Sequence, residues 1–314
     1  MSVYTPVDRA QLETFLRDYD IGDYVAHRGI SEGISNTNYF LTTTRTEVVL
    51  TLFELIGFED VPYYLDLMAW LAARGVPGAN PVADRQGHYM KPLAGKPAAL
   101  VHKLAGGGLH GTPSLAQCRE IGRALAQLHL AGEGFAQRRD NDRGPRWCQS
   151  AAERVLPLLD RVEAHLLNDE LAALTEHPRS RLPQGTIHAD LFRDNALFDG
   201  DRLCGLIDFY YACTDALAFD VAVTVNDWCT QPDGTLDRER AAALYGAYAA
   251  LRPFSEAERA EWPRVLRAAA LRFWLSRLVD KLFPTPGELT FIKDPDAFKH
   301  ILIAHRGAPW RLAD

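Results

Sequence analysis

Ile187-His188-Ala189-Asp190-Leu191-Phe192-Arg193-Asp194-Asn195, with Ile207-Asp208-Phe209 further on, is the stretch on which the reading of this chain turns. It sets Asn195 five residues after Asp190 and Asp208 thirteen residues after Asn195. Two apolar runs flank the turn residues, Gly185-Thr186-Ile187-His188 on one side and Leu203 to Phe209 on the other. A lone His-x-Asp carries little, because Asp is common in turns and caps. A carboxylate, an amide and a second carboxylate at these two spacings, each beside an apolar run, form a pattern that chance rarely assembles.

Upstream the sequence reads as a β-rich region. Thr5-Pro6-Val7-Asp8 signals a helix start, with a cap, a proline suited to the first helical position and an acid three residues after the cap; the helix runs to about Tyr19. Strand-like pieces follow at Tyr24 to Gly29, Tyr39 to Thr43 and Val48 to Phe53, and Asp60-Val61-Pro62 opens a helix ending near Arg74-Gly75. Residues 81 to 104 hold two or three further short strands around the turn Asp84-Arg85-Gln86-Gly87. The expectation is a five-stranded antiparallel sheet with one helix.

Ala105-Gly106-Gly107-Gly108 is the most flexible stretch, and Thr112-Pro113 starts a long helix immediately after it. The boundary therefore falls at about residue 105, giving an N-terminal region 1–104 and a C-terminal region 105–314. In the latter, Leu115, Cys118, Ile121, Leu125 and Leu128 mark one apolar face at helical spacing, and further helices are expected at 151–167, 237–251, 256–282 and 294–304. The fold class that results is α+β, two-lobed, with a mostly helical C-terminal lobe.

At 314 residues with 47% hydrophobic content the chain can bury a sizeable core. A net charge of −7 argues against a nucleic-acid partner and for a small molecule. The five cysteines are odd in number and widely spaced, so they read as buried thiols of a reducing cytosol. The start MSVYTPVDRAQLETF carries no secretory pattern and no long apolar run follows, so a soluble cytoplasmic protein without a membrane partner is expected.

Phosphoryl transfer explains the residue types. A carboxylate, Asp190, accepts the proton of an alcohol, while an amide, Asn195, and a second carboxylate, Asp208, hold magnesium against the phosphates of ATP. Hard magnesium prefers such oxygen ligands. Ser31 to Asn38, lying between two strands, offers backbone N–H groups and short side chains that suit phosphate, with Gly33, Ser35, Asn36 and Thr37 as candidate contacts.

At these residues the sequence resembles the protein-kinase-like superfamily that includes aminoglycoside phosphotransferases, choline kinases and homoserine kinases, and the likeness covers nearly the whole chain. Gly33-Ile34-Ser35-Asn36-Thr37-Asn38-Tyr39, Leu50-Thr51-Leu52-Phe53-Glu54, His188 to Asn195 and Asn226-Asp227-Trp228-Cys229 look like the bacterial homoserine kinases of this fold. The resemblance implies ATP and magnesium as cofactors, L-homoserine as substrate, a role in threonine biosynthesis, adenine against a hinge at His102, Lys103 and Leu104, and a bracing role for His188. It also implies that Asp220 begins a helix and ties down the catalytic loop, and that His129 packs a helix. One departure stands out: Thr51 occupies the strand position where most kinases carry a phosphate-binding Lys. Arg193 either supplies the missing positive charge near the γ-phosphate or is an ordinary carboxylate-paired arginine.

A zwitterionic amino alcohol needs an anion for its ammonium and a cation for its carboxylate. Asp227 is the candidate for the first, and Arg272 or Arg277 for the second. Other readings remain open: a kinase for choline, methylthioribose or an aminoglycoside, and a nucleotide-binding regulatory pseudokinase. The sequence leaves oligomeric state undetermined.

Overall fold

The structure is a computed structural model that describes residues 4–30, 36–109, 111–284 and 293–312. Its described residues form two compact units that divide between Ala105 and Gly106.

The first unit opens with helix α1 (Arg9–Leu16). Its N-cap is Asp8 rather than Thr5, because Asp8 accepts from the backbone N–H of Gln11 while the Gln11 side chain accepts from that of Asp8. Strands β1 (Tyr24–Gly29), β2 (Asn36–Thr43) and β3 (Glu47–Phe53) follow, then helix α2 (Val61–Ala72), with Pro62 in its first turn, and strands β4 (Met90–Leu93) and β5 (Lys96–His102). The five strands form one sheet in the order β1-β2-β3-β5-β4, every pairing antiparallel. Leu12, Phe15 and Leu16 bring one helical face into the same core as Leu41, Val48, Leu50, Leu52 and Leu100 of the sheet.

The second unit begins with a strand of two residues, β6 (Gly107–Gly108), where the sequence suggested only flexibility. Glycine is needed just before it: Gly106 has φ +81°, and a Cβ there would stand 2.6 Å from the carbonyl oxygen of Phe198. The long helix α3 (Leu115–Gly132) starts two residues later than expected, at a capping box between Ser114 and Gln117. It packs on α7 (Arg238–Ala249) so closely that a Cβ at Gly122 would lie 2.1 Å from the Leu244 carbonyl oxygen.

The single helix expected at 151–167 is two, α4 (Pro145–Val155) and α5 (Arg161–Glu176). Pro157 and the N-cap Asp160, which accepts from the N–H groups of Val162 and Glu163, separate them. Strand β7 (Gln184–Ile187) pairs with β10 (Cys213–Ala216), and β8 (Ala196–Asp199) with β9 (Arg202–Leu206) and β6. Helix α6 (Leu217–Trp228) is buried at eleven of its twelve positions and so shows no amphipathic period in the sequence. Helices α8 (Glu256–Leu282) and α9 (Asp296–Gly307) complete the unit within a few residues of expectation. Of the cysteines, Cys118, Cys148, Cys213 and Cys229 are buried and Cys204 is half-buried, all free. Among the described residues no helix is long and apolar enough to cross a membrane.

Candidate active site

The loop after β7 and the β8–β9 hairpin gather the three motif residues. In the hairpin Ala196 pairs with Leu206, and the backbone N–H of Ile207 donates to the Asn195 carbonyl at 3.0 Å. Antiparallel closure thereby sets Asn195 and Asp208, thirteen residues apart in sequence, at the same end of the hairpin. The Asn195 Nδ2 amide donates to the Asp190 carbonyl oxygen at 2.8 Å and to its Oδ2 at 3.2 Å. Using the nitrogen in this way reserves the side-chain oxygen Oδ1 of Asn195 as a ligand.

The loop conformation is held against backbone strain. Ala189 has φ +65° and Asp208 φ +61°, left-handed values unusual for residues with a Cβ. Asp220, fully buried on α6, compensates at Ala189: its Oδ1 accepts from the Ala189 N–H at 2.7 Å and its Oδ2 from the His188 N–H at 2.7 Å. Oδ2 also lies 3.1 Å from His129 Nε2, while His129 Nδ1 lies 2.8 Å from the Tyr248 hydroxyl. A proton on Nε2 satisfies both contacts, with Tyr248 donating to Nδ1. Arg252 then donates to the Tyr248 hydroxyl and to Glu258, a residue of the α8 capping box. His129 is thus a link in a polar chain, a partnership the sequence did not suggest.

His188 is fully enclosed. Its Nε2 faces the Ile207 carbonyl at 3.0 Å, its Nδ1 accepts from the Asp190 N–H at 3.3 Å, and burial keeps its pKa below the ordinary value. Both nitrogens serve the backbone, so the ring braces the loop and is unavailable as a base. On the far side, the Trp228 indole N–H donates to the Leu191 carbonyl at 3.1 Å.

Burial raises the Asp190 carboxyl to about 7; the charge of Arg272 opposes that rise and the Asp208 carboxylate adds to it. Enclosure and then Asp194 raise Asp208 to about 6. Solvent still reaches Asp208 from its open side, so the elevation there is the weaker of the two. Two carboxylates that repel each other beside an amide oxygen make a hard-oxygen donor set short of a cation, which fits magnesium. Among the described residues no cluster of three or more His, Cys, Asp or Glu side chains forms a closed metal cage. Magnesium that takes its remaining ligands from phosphates and water needs none.

The other candidate residues separate into groups. Arg193 donates to Asp227 from its backbone at 2.8 Å and from Nε at 3.1 Å, and from Nη1 to the Gly111 carbonyl at 3.2 Å. The carboxylate-paired alternative is the one observed, and Asp227 already has a cation. Together with Arg277, these two residues line a recess of about 280 Å³ that Phe298 and Ile301 close from α9. Arg272 does not line it.

In the first unit, Gly33 and Ser35 lie outside the described residues. Thr37 is fully buried, and its hydroxyl accepts from the N–H groups of Tyr4 and Thr5 while donating to Glu54 at 2.7 Å. That hydroxyl has no capacity left for a phosphate, a limit imposed by the N-terminal segment folding over β2. Asn36 Oδ1 accepts from the Glu54 N–H at 3.4 Å, and the Thr51 hydroxyl donates to Asn38 at 2.7 Å. His102 is exposed at the end of β5, with half-buried Leu104 just beyond.

Comparison with known proteins agrees with this architecture. The model of the phosphotransferase enzyme family matches residues 26–254. The chain belongs to that family and is a kinase. It is 49% identical to the homoserine kinase of Methylobacillus flagellatus over 96% of this chain and 94% of that protein. It is 45% identical to the homoserine kinase of Neisseria meningitidis serogroup B, over 97% and 99%. Among solved structures, an amicoumacin kinase in complex with AMP-PNP, Ca2+ and Ami superposes with a TM-score of 0.72 at 12% identity, covering 96% of this chain and 95% of that one. A spectinomycin phosphotransferase in complex with ADP and spectinomycin gives 0.65 at 14% identity, over 95% and 94%. At such identities the likeness establishes the protein-kinase-like fold.

Proposed function

We infer that the chain is an ATP-dependent homoserine kinase, which transfers the γ-phosphoryl group of ATP to the side-chain hydroxyl of L-homoserine and yields O-phospho-L-homoserine for threonine biosynthesis. Near-full-length similarity to homoserine kinases supports the substrate. The observation that carries the chemistry is the Asn195 amide joined to Asp190, on a hairpin whose other strand leads into Asp208.

In this reading Asp190 orients the substrate hydroxyl and takes its proton as the new O–P bond forms and the bond to the departing ADP oxygen breaks. Magnesium, held by Asn195 and Asp208, neutralises phosphate charge when bound. Asp190 must be ionised to act, and the Arg272 charge favours that form against the rise from burial. Arg193 serves through position: by clasping Asp227 and Gly111 it fixes the loop segment between Asp190 and Asn195. Nucleotide contacts fall to residues 1–104, with Asn36, Thr51, His102 and Leu104 as candidates, and catalysis and substrate binding to 105–314.

The test is ATP consumption by the purified protein over a panel of L-homoserine, choline, methylthioribose and kanamycin, with the product identified by phosphorus NMR. Homoserine-dependent turnover with O-phosphohomoserine as product is the expected result. Turnover confined to another member of the panel, or ATP binding with no transfer, rejects the assignment.

A further inference from the structure

Three arginines are buried among the described residues, and two of them have carboxylate partners. Arg179 grips Asp215 with bonds of 2.8 and 2.6 Å, and Arg240 pairs with Asp237 at 3.0 Å. The third, Arg272 in the middle of α8, has only 6% of its surface exposed and makes no hydrogen bond or ion pair with any described residue. A guanidinium carries five N–H donors. Those of Arg272 are not among the fully buried unpaired atoms, so the side chain is packed by its stem while its donors stay open to a ligand.

Its surroundings indicate which ligand. The Arg272 Cζ lies 3.8 Å from the ring centroid of Phe273 and 5.4 Å from that of Tyr211, so aromatic faces fix the plane of the fork and leave its N–H edge unengaged. Tyr211 stands three residues past Asp208 and keeps 36% of its surface open. Arg272 is the strongest charge felt by Asp190, and Arg143, ahead of α4, is near enough to repel Arg272. Arg143 stacks on Trp147, its Cζ 4.6 Å from the ring centroid, and has no carboxylate partner among the described residues. Arg272 thus reaches the Tyr211 ring just past Asp208 with its charge felt at the proposed base, and Arg143 adds positive charge next to Arg272.

We propose that Arg272, backed by Arg143, binds the substrate carboxylate in bidentate fashion and so presents the side-chain hydroxyl to Asp190, making Arg272 the residue that selects an amino acid over a plain amino alcohol. This rests on the homoserine kinase reading. The rival on the same helix, Arg277, already donates to the Asp294 carbonyl at 2.9 Å, stacks 4.5 Å from Phe298 and opens to the recess shared with Arg193 and Asp227.

The experiment compares kcat/KM for L-homoserine and for 3-aminopropan-1-ol, the same alcohol without its carboxylate, in the wild type, Arg272→Met, Arg272→Lys and Arg277→Met. Homoserine turnover by the wild type secures the underlying reading; its absence removes that reading before any variant is considered. Loss of a charged bidentate contact predicts that Arg272→Met lowers kcat/KM for homoserine on the order of 10²-fold, mostly through KM. The same variant lowers kcat/KM for 3-aminopropan-1-ol far less, because that alcohol loses only the charge near Asp190 and no contact with the fork, and it leaves the KM for ATP within about threefold. Arg272→Lys keeps the charge without the fork and falls between, which covers failure of the Met variant to fold. Loss of selectivity in Arg277→Met with retention in the Arg272 variants, or an equal loss on both alcohols, overturns the proposal.

Discussion

Replacing Asp220 by Asn tests how the catalytic loop is held. The carboxylate accepts two backbone N–H groups, one on each oxygen at 2.7 Å, and His129 at 3.1 Å, with no exposure to water. Asparagine fits the space but has one acceptor oxygen. Whichever way it turns, its NH2 group meets either the His188 or the Ala189 N–H donor to donor. The unsatisfied buried donor costs about 1–3 kcal/mol, and the remaining bonds lose their charge assistance. The total of roughly 3 kcal/mol falls on a loop whose Ala189 is already in a left-handed conformation. If the loop relaxes, kcat for homoserine falls about 10²-fold, since about 1.4 kcal/mol is tenfold. If the loop holds, the penalty appears as a melting temperature lower by several degrees. Steady-state kinetics and calorimetry on the same preparation read both channels, and Tyr248→Phe, which removes only the hydroxyl facing His129 and Arg252, gives a smaller loss of about 1 kcal/mol. A variant with kcat within twofold of wild type and unchanged melting would show that Asp220 does not position the loop.

Four further outcomes are expected. Asp190→Asn lowers kcat by roughly 10²–10⁴-fold while ATP binding, followed by titration calorimetry, stays near wild type; retained turnover would dismiss Asp190 as the base. Asp208→Ala removes the magnesium dependence of nucleotide affinity and Asn195→Ala weakens it less, so equal dependence in wild type and Asp208→Ala would take Asp208 out of the metal site. Asp215→Ala leaves Arg179 buried without its anion and destabilises by about 3–5 kcal/mol in urea unfolding, with a negligible change contradicting the buried pair. His305, buried against Asn226 at 2.8 Å, has its pKa lowered from 6.5 to about 4 by burial and then by Arg267. Its neutral form favours the folded state, so its contribution is present above pH 6.5 and is lost as pH falls from 6.5 to about 4, roughly 3 kcal/mol in all. His305→Gln should flatten that part of the stability–pH curve, and an unchanged slope would exclude the residue.

Much of the site was legible because its parts are local. Asp190 and Asn195 share one loop, and the thirteen-residue interval to Asp208 is the length of a hairpin with its entry and exit, so spacing along the chain became proximity in space. The sheet was legible for the same reason, as alternating strands joined by polar turns. Helix α6 was not legible from periodicity, because burial on all sides erases the apolar stripe that marks a helix; only the family resemblance put a helix start at Asp220, which sits in its first turn. The break between α4 and α5 was missed although Pro157 and Asp160 announce it.

By itself the sequence determined the order of a β-rich and a helical unit, the carboxylate–amide–carboxylate set and the family these define. Only tertiary structure decided the partners. Asp220 reaches the loop across 31 and 32 residues and His129 across 91, and Tyr248 meets His129 across 119, separations at which spacing carries no information. The fold also assigned Asp227 to Arg193 and distinguished two arginines that sequence treats alike. Five residues along an α-helix turn a side chain by roughly 140°, so Arg272 faces the buried side near Asp190 while Arg277 faces the recess against α9. Which of those directions is dry depends on what packs there, and that is fixed by the whole chain.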